Sequence, residues 1–110
     1  MSSKQSTIDF ILDQITDTGI VRAKKMFGEY AIYYHEKVVA LVCDDQLFIK
    51  PTNAGKEFIN NYVEGIPYPG AKPYLLISGD LLEDSDWLTQ LIRLTASELP
   101  EPIKKRAKDR

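Results

Sequence analysis

Apolar side chains recur near the start of the chain at the three- and four-residue spacing of an amphipathic helix. The apolar positions are Ile8, Ile11, Leu12 and Ile15. Ser6 and Asp9 have the spacing of a capping box, so we expect the helix to begin at Ser6 or Thr7. Gly19 stands where a glycine would end it.

The apolar spacing then changes to the two-residue period of β-strands. Four short runs, at about 21–26, 30–34, 38–43 and 46–50, are separated by polar or glycine-containing turns. The run 38–43 is apolar on both faces, which predicts a central strand that is covered on both sides. Together these runs predict an antiparallel meander.

The second half of the chain predicts two further helices and one further strand. Thr52 or Asn53 can cap a short helix, and a strand is expected at 73–78. Two prolines within 64–72 restrict the backbone, which predicts an exposed loop. The last helix should begin near Asp84 or Ser85 and carry one apolar stripe. The stripe contains Leu88, Leu91, Ile92, Thr95 and Leu99.

The order α-β(n)-α-β-α predicts an α+β two-layer domain, with helices packed on one face of an antiparallel sheet. The spacing of the runs does not determine the strand order. A chain of 110 residues is long enough for one self-sufficient core, and we place the single domain at 1–102. Residues 103–110 carry too little apolar surface to fold alone, so we expect a mobile basic tail there.

The corner between the first two strands is the most distinctive motif. A glycine stands there between two strand-like runs, where a residue without a Cβ turns the chain at little steric cost. The motif residues are Met26, Phe27, Gly28 and Tyr30. With the hairpin, the 47–50 strand, the Pro-Tyr strand and the closing helix, this motif resembles the N-terminal domain of the TfoX (Sxy) family of bacterial competence regulators.

The resemblance runs from about residue 8 to residue 99, and the chain looks like a stand-alone member of this kind. Many relatives read Gly-Gly-Tyr-Gly where this chain has Gly28-Glu29-Tyr30-Ala31. The resemblance implies an α+β fold similar in outline to the secretion-chaperone-like folds. It also implies a role in transcriptional regulation of DNA transformation, exerted together with other regulators.

Charge is divided unevenly along the chain. Residues 1–99 carry nine basic and fourteen acidic groups, whereas 100–110 carry five basic and two acidic groups. Because non-specific DNA affinity comes mainly from lysine and arginine, the acidic body argues against a DNA-coating protein. The N-terminus has no apolar leader and no run approaches the ~20 apolar residues of a membrane span, so we expect a cytoplasmic protein.

Candidate catalytic and metal-binding residues are few. His35 lies in a predicted turn, Cys43 ends an apolar strand as a small core residue, and Asp44 and Asp45 are typical turn formers. A Cys-His pair has no support in the pattern, and neither a Gly-x-Gly-x-x-Gly nor a Gly-Lys-Ser/Thr motif occurs. We therefore predict a protein that is not an enzyme and has no cofactor or metal.

Two basic clusters remain as candidates for partner contact. Arg22 and Lys24 share one face of the first strand, where Lys50 can join them beside exposed tyrosines; solvated charge on a strand is the simpler interpretation. The second cluster is the tail, with Lys104, Lys105, Arg106 and Lys108.

The leading hypothesis from the sequence is a non-enzymatic regulatory or adaptor domain that contacts a protein of the transcription machinery or another regulator. The alternative is a nucleic-acid-binding module that uses the tail and the Arg22/Lys24 strand. A homodimer through the exposed face or edges of the sheet is a further expectation.

Overall fold

The fold is described from a computed structural model, for residues 4–15, 21–26 and 29–99. The elements in chain order are α1 (Gln5–Gln14), β1 (Val21–Met26), β2 (Glu29–Tyr34), β3 (Lys37–Cys43), β4 (Gln46–Ile49), α2 (Asn53–Ile59), β5 (Val63–Gly65), β6 (Tyr74–Ile77), α3 (Gly79–Leu82) and α4 (Ser85–Glu98). The predicted Gly19 stop, the Phe27–Gly28 corner and the 103–110 tail lie outside these residues.

The strands form one six-stranded sheet in the order β1-β2-β3-β4-β6-β5, with every neighbouring pair antiparallel. The four predicted runs therefore form the meander, and β3 lies inside the sheet as expected. After β4 the chain passes through α2 to form the edge strand β5, and it then returns as β6 between β4 and β5.

The helices lie on one face of the sheet, which confirms the α+β class. Buried side chains from alternate positions of β2, β3, β4 and β6 form one core with α1 and α4. From the sheet these are Ile32, Ala40, Val42, Leu47, Ile49, Leu75 and Ile77, together with Val39 at the register shift between β2 and β3; from the helices they are Ile8, Ile11, Leu88, Leu91, Ile92 and Ala96, with Ile15 just after α1. The α2 helix packs on the same side, where the rings of Phe58 and Trp87 lie 5.5 Å apart.

Local signals explain where several elements begin and turn. Asp44 and Asp45 both have positive φ, at 54° and 62°, which is the geometry of a two-residue hairpin between β3 and β4. The Oγ1 of Thr52 accepts a hydrogen bond from the Gly55 amide, and the Oδ1 of Asp84 accepts one from the Trp87 amide. The predicted caps of α2 and α4 are thus confirmed.

The predicted start of α1 is wrong. The helix begins at Gln5, one residue before the predicted start, and its N-cap Lys4 makes no side-chain capping bond. Asp45 of the β3–β4 turn instead accepts hydrogen bonds from the Lys4 amide and the Thr7 hydroxyl, at 2.8 and 2.9 Å. The helix ends at Gln14, and its free Gln14 carbonyl accepts hydrogen bonds from the hydroxyl groups of Ser85 and Thr89 at the start of α4.

The predicted exposed loop at 64–72 also needs correction. Residues Val63–Gly65 form β5, because they pair with β6, and Pro67 is buried. Strand β6 begins at Tyr74 rather than at Pro73, and the short α3 helix precedes α4. The loop between β5 and β6 folds back over the sheet, on the side opposite the helices.

Candidate functional site

The face of the sheet opposite the helices carries the candidate site, and we call it the open face. Strand alternation and the register of the pairs bring to it the side chains that do not enter the helix-facing core. They include Arg22, Lys24 and Met26 of β1, Glu29, Ala31 and Tyr33 of β2, Val38, Leu41 and Cys43 of β3, Phe48 of β4, Leu76 of β6, and Lys50 and Tyr74 beside them.

The loop between β5 and β6 forms a wall over part of this face. Pro67 is buried, whereas Tyr68 is 53% exposed. Two cavities of about 270 and 300 Å³ lie beside the loop, and both are lined by Met26, Leu41 and Tyr68. The two cavities share these three lining residues and so lie next to each other along the face; we call them together the open-face groove.

One end of the groove is a basic, phenol-lined pocket. Val38, Lys50 and Tyr74 line this end, in addition to the three residues that both cavities share. Burial lowers the pKa of the half-buried Lys50 ammonium, and it raises the pKa of the Tyr74 phenol. Among the described residues, none gives the Lys50 ammonium an ion pair or a hydrogen bond.

The other end of the groove is apolar with an acidic rim. Pro67, Pro69 and Cys43 line it together with Glu29 and Asp44. A Glu29 carboxylate oxygen accepts a hydrogen bond from the Asp44 amide at 3.1 Å. Burial raises the pKa of the Cys43 thiol, and the charges of Glu29 and Asp44 raise it further, so the thiol stays protonated.

The predicted basic residues of the body share the open face, but they do not form one tight cluster. The guanidinium carbon of Arg22 lies 4.6 Å from the centre of the Tyr33 ring, and Arg22 and Lys24 are both exposed. Lys50 lies three strand spacings away, or about 14 Å. Contact of these residues with a partner stays a prediction, and the tail cations lie outside the described residues.

Two of the four motif residues can be placed. Met26 lines both ends of the groove, and the Tyr30 hydroxyl donates a hydrogen bond to Oε1 of Gln5 at 3.1 Å. Tyr30 thus joins β2 to α1 on the helix side of the sheet. Phe27 and Gly28 lie outside the part of the chain that the structure describes.

The structure does not bring the two candidate catalytic side chains together. His35 lies in the β2–β3 turn and Cys43 at the opposite end of β3, six strand steps or about 20 Å away. His35 is exposed with a φ of 59° and contacts the Tyr34 ring edge-on. Within residues 4–15, 21–26 and 29–99, no group of three acidic, histidine or cysteine side chains is placed to hold a metal ion.

A wider cavity of about 510 Å³ lies beside this turn, against the last turns of α4. Lys37 and Arg93 line it, and both make interactions within the fold; Lys37 Nζ donates a hydrogen bond to the Ala96 carbonyl at 2.9 Å. A lysine bonded to a helix carbonyl near its C-terminus stabilises the helix end. We therefore take the open-face groove as the candidate site.

Sequence reasoning missed the loop residues that complete the groove. Tyr68 and Tyr74 flank the proline-rich segment, but no local pattern shows that this segment crosses the sheet. The run Pro67-Tyr68-Pro69 was the available signal, since two prolines hold the tyrosine on a stiff backbone.

None of the helices in the described part of the chain has the length and apolar content needed to cross a membrane.

The structure defines a small α+β two-layer domain with the described helices on one face of its sheet and the open-face groove on the other. Comparison with known proteins gives the family. The TfoX N-terminal domain matches residues 13–99, which is most of the chain, and the chain belongs to this family. This finding confirms the resemblance predicted from the corner motif and the hairpin.

A curated relative matches nearly the whole chain. It is described as a 12.7 kDa protein in the trpE 5′ region of Spirochaeta aurantia. The two sequences are 44% identical over 108 residues, which cover 98% of this chain and 93% of the relative.

Proposed function

We propose that this chain is a non-enzymatic regulatory or adaptor domain, and that it binds a partner protein through the open face of its sheet. Membership of the TfoX N-terminal domain family supports a role like that of a competence regulator. The observation that carries the proposal is the open-face groove, which lies on the side of the sheet that the described helices leave uncovered.

The chemistry of the groove favours a protein partner. Its floor is formed by Met26, Leu41 and Val38, and Tyr68 stands at its wall. Methionine and tyrosine are enriched at protein interfaces, where large side chains exclude water from the contact. In this proposal the partner belongs to the transcription machinery or is another regulator, and the complex forms in the cytoplasm.

A second candidate function is direct nucleic-acid binding. The exposed guanidinium of Arg22 lies on the Tyr33 ring, with Lys24 on the same face. A cation beside an exposed aromatic ring is an arrangement that single-stranded and duplex binders use. The net charge of -2 opposes this alternative, because phosphate contacts dominate nucleic-acid affinity.

Self-association of the chain, through the open face or an edge of the sheet, is a third possibility. The β1 edge carries Arg22, Lys24 and Lys25, so pairing two β1 edges would bring cations close to cations. Like charges opposed across strands are destabilising. A homodimer would therefore avoid pairing at the β1 edge.

Salt dependence separates the first two functions. We would measure the anisotropy of a labelled duplex DNA with the full chain at low salt and at ~150 mM salt, where exposed charge pairs are strongly screened. Two variants report the source of any binding: one with Arg22 and Lys24 replaced by glutamine, and one with the four tail cations replaced by glutamine.

The proposal predicts that DNA binding is lost near ~150 mM salt and that the tail variant already abolishes it at low salt. Binding that persists at ~150 mM salt, survives the tail substitutions and disappears in the Arg22/Lys24 variant would contradict it. That result would make the open face a DNA site.

A further inference from the structure

We propose that the open-face groove binds an extended segment of a partner protein that places an Asp or Glu carboxylate beside Lys50 and an apolar side chain between Met26 and Pro67. The inference rests on the proposed function and names the chemistry of the partner. It follows from the distribution of donors, charges and apolar atoms along the groove.

The basic end of the groove has the composition of a carboxylate site. Three side chains that are able to donate hydrogen bonds line it, namely Lys50, Tyr68 and Tyr74, and its floor is apolar. Neither Asp nor Glu occurs among the described residues that line this end. An ammonium and two phenols around a small cavity bind an anion well, because charge-assisted hydrogen bonds are the strong ones.

The fold leaves the Lys50 charge without compensation. Lys50 is half-buried beside apolar side chains, and its ammonium makes neither an ion pair nor a hydrogen bond with the described residues. Burying a charge costs free energy unless an opposite charge accompanies it. An acidic ligand would supply that opposite charge, which makes the pocket selective for anions.

The other end of the groove fixes the orientation of the ligand. Met26, Pro67 and Pro69 offer an apolar surface there, and Glu29 and Asp44 stand at its rim. These two carboxylates disfavour a second acidic group. The bound segment should therefore carry its acid at the Lys50 end and an apolar or basic residue at the Glu29 end.

The length of the groove points to a peptide rather than to a small carboxylate. The groove follows β3 from Val38 to Cys43, five strand steps or about 17 Å. An extended chain covers this distance with about five residues. A free metabolite with one carboxylate would fill only the Lys50 end.

Phage display with random heptapeptides tests the inference directly. The full-length chain is immobilised and peptides are selected at ~150 mM salt, so that unspecific charge attraction is screened. We expect enrichment of peptides with one Asp or Glu at a fixed distance from an apolar residue. Lys50→Gln should weaken a selected peptide by about tenfold or more, since a hydrogen bond to a charged group contributes ~1.5–3 kcal/mol.

A charge reversal makes the test sharper. Lys50→Glu should replace the selected acidic residue by Lys or Arg while the apolar preference remains. Lys25→Glu is the control for the same charge reversal elsewhere on the sheet, because Lys25 is exposed to solvent and its register places it on the other face of β1. The control should select the same peptides as the natural chain. Circular dichroism and thermal melting would establish that each variant is folded.

Three results would overturn the inference: no selected peptide, no acidic enrichment, or unchanged peptides with Lys50→Glu. Selection of peptides that match a segment of this chain would point to a second copy as occupant and would also overturn it. The proposed function is tested separately by DNA binding. If the chain binds DNA at ~150 mM salt and also selects acidic peptides, the proposed function is contradicted, whereas the inference about the groove ligand is supported.

Discussion

At the scale of single residues, partial burial on the open face shifts the pKa values of two groups, the Lys50 ammonium and the Cys43 thiol. Burial disfavours the charged form of both, so it lowers the pKa of Lys50 and raises that of Cys43. The Cys43 thiol is thereby kept protonated; it is buried, as the sequence predicted, but it lies on the open face and outside the helix-facing core. Lys50 holds its ammonium half-buried beside apolar side chains, and we propose that an acidic ligand supplies the missing opposite charge.

Replacing Lys50 by methionine should stabilise the free protein at pH 7. Methionine keeps the apolar stem and removes the half-buried charge. The folded chain holds the Lys50 proton less tightly than the unfolded chain, so the stability of the natural protein rises with pH between the lowered pKa and 10.5. The advantage of Lys50→Met should therefore be largest below that interval and should shrink through it.

Urea unfolding of both proteins from pH 7 to pH 11 measures this difference. The comparison between the two proteins cancels the titration of groups that they share. A loss of stability at pH 7 would show that the Lys50 ammonium is already compensated within the fold.

The Cys43 thiol should react slowly in the folded protein. It is 6% exposed, and its pKa is raised by burial, by Glu29 and by Asp44. We expect alkylation by iodoacetamide at pH 8 to be about tenfold or more slower than in the urea-unfolded chain, because the thiolate is the reacting form. Mass spectrometry follows the reaction, and equal rates in both states would mean that the thiol is reachable and ionised.

At the scale of secondary-structure elements, local sequence patterns were sufficient to predict some helices and strands but not others. Strands β2, β3 and β4 follow from alternation and turn residues, and α4 from its stripe and its Asp84 cap. Strand β5 has three residues, too few to show a period, and it exists because β6 pairs with it. The start of α1 is fixed by Asp45, about 40 residues away along the chain.

The Asp45 contact predicts an asymmetry between two neighbouring turn residues. Glycine relieves positive φ equally well at Asp44 and at Asp45, but only Asp45→Gly removes the hydrogen bonds to the Lys4 amide and the Thr7 hydroxyl. We expect Asp45→Gly to lower the melting temperature relative to Asp44→Gly. Hydrogen exchange should accelerate in the first turn of α1 with Asp45→Gly alone.

The same contact depends on pH in a known direction. The two hydrogen bonds lower the pKa of Asp45 below 3.8, so their stabilising effect is present above that value and is lost as the pH falls through the lowered pKa. Equal melting temperatures of the two glycine variants at pH 7 would contradict this account of how α1 begins.

Substitutions in α4 should lower the free energy of unfolding only where they fall on its buried stripe. Leu91 is fully buried, and its side chain lies against the closely packed Gly55 of α2. Leu91→Ala should lower the free energy of unfolding by about 2–5 kcal/mol, because it leaves a cavity in the core. Gln90→Ala on the exposed side of the same helix should change it by less than about 0.5 kcal/mol.

Chemical denaturation of the two α4 variants gives both values. A small loss with Leu91→Ala would show that the layer of helices does not pack on the sheet as described.

At the scale of the whole molecule, the strand order determines where a ligand can bind. Inserting β6 between β4 and β5 sends the 66–73 loop back across the open face. The shared face of Arg22, Lys24 and Lys50 could be predicted, because strand alternation fixes it. The groove could not, because it depends on a non-local pairing that brings Tyr68 and Tyr74 over Met26 and Leu41.

Photocrosslinking in the native host tests the central claim, that the open face contacts a partner protein. The photoreactive residue p-benzoylphenylalanine would replace Tyr68 on the open face, or Phe10 on the outer side of α1. These positions are comparably exposed, at 53% and 44%. We predict a discrete protein adduct from position 68, weakened by Lys50→Glu, and none from position 10. Equal adducts from both positions, or an adduct with nucleic acid instead of protein at position 68, would contradict the account.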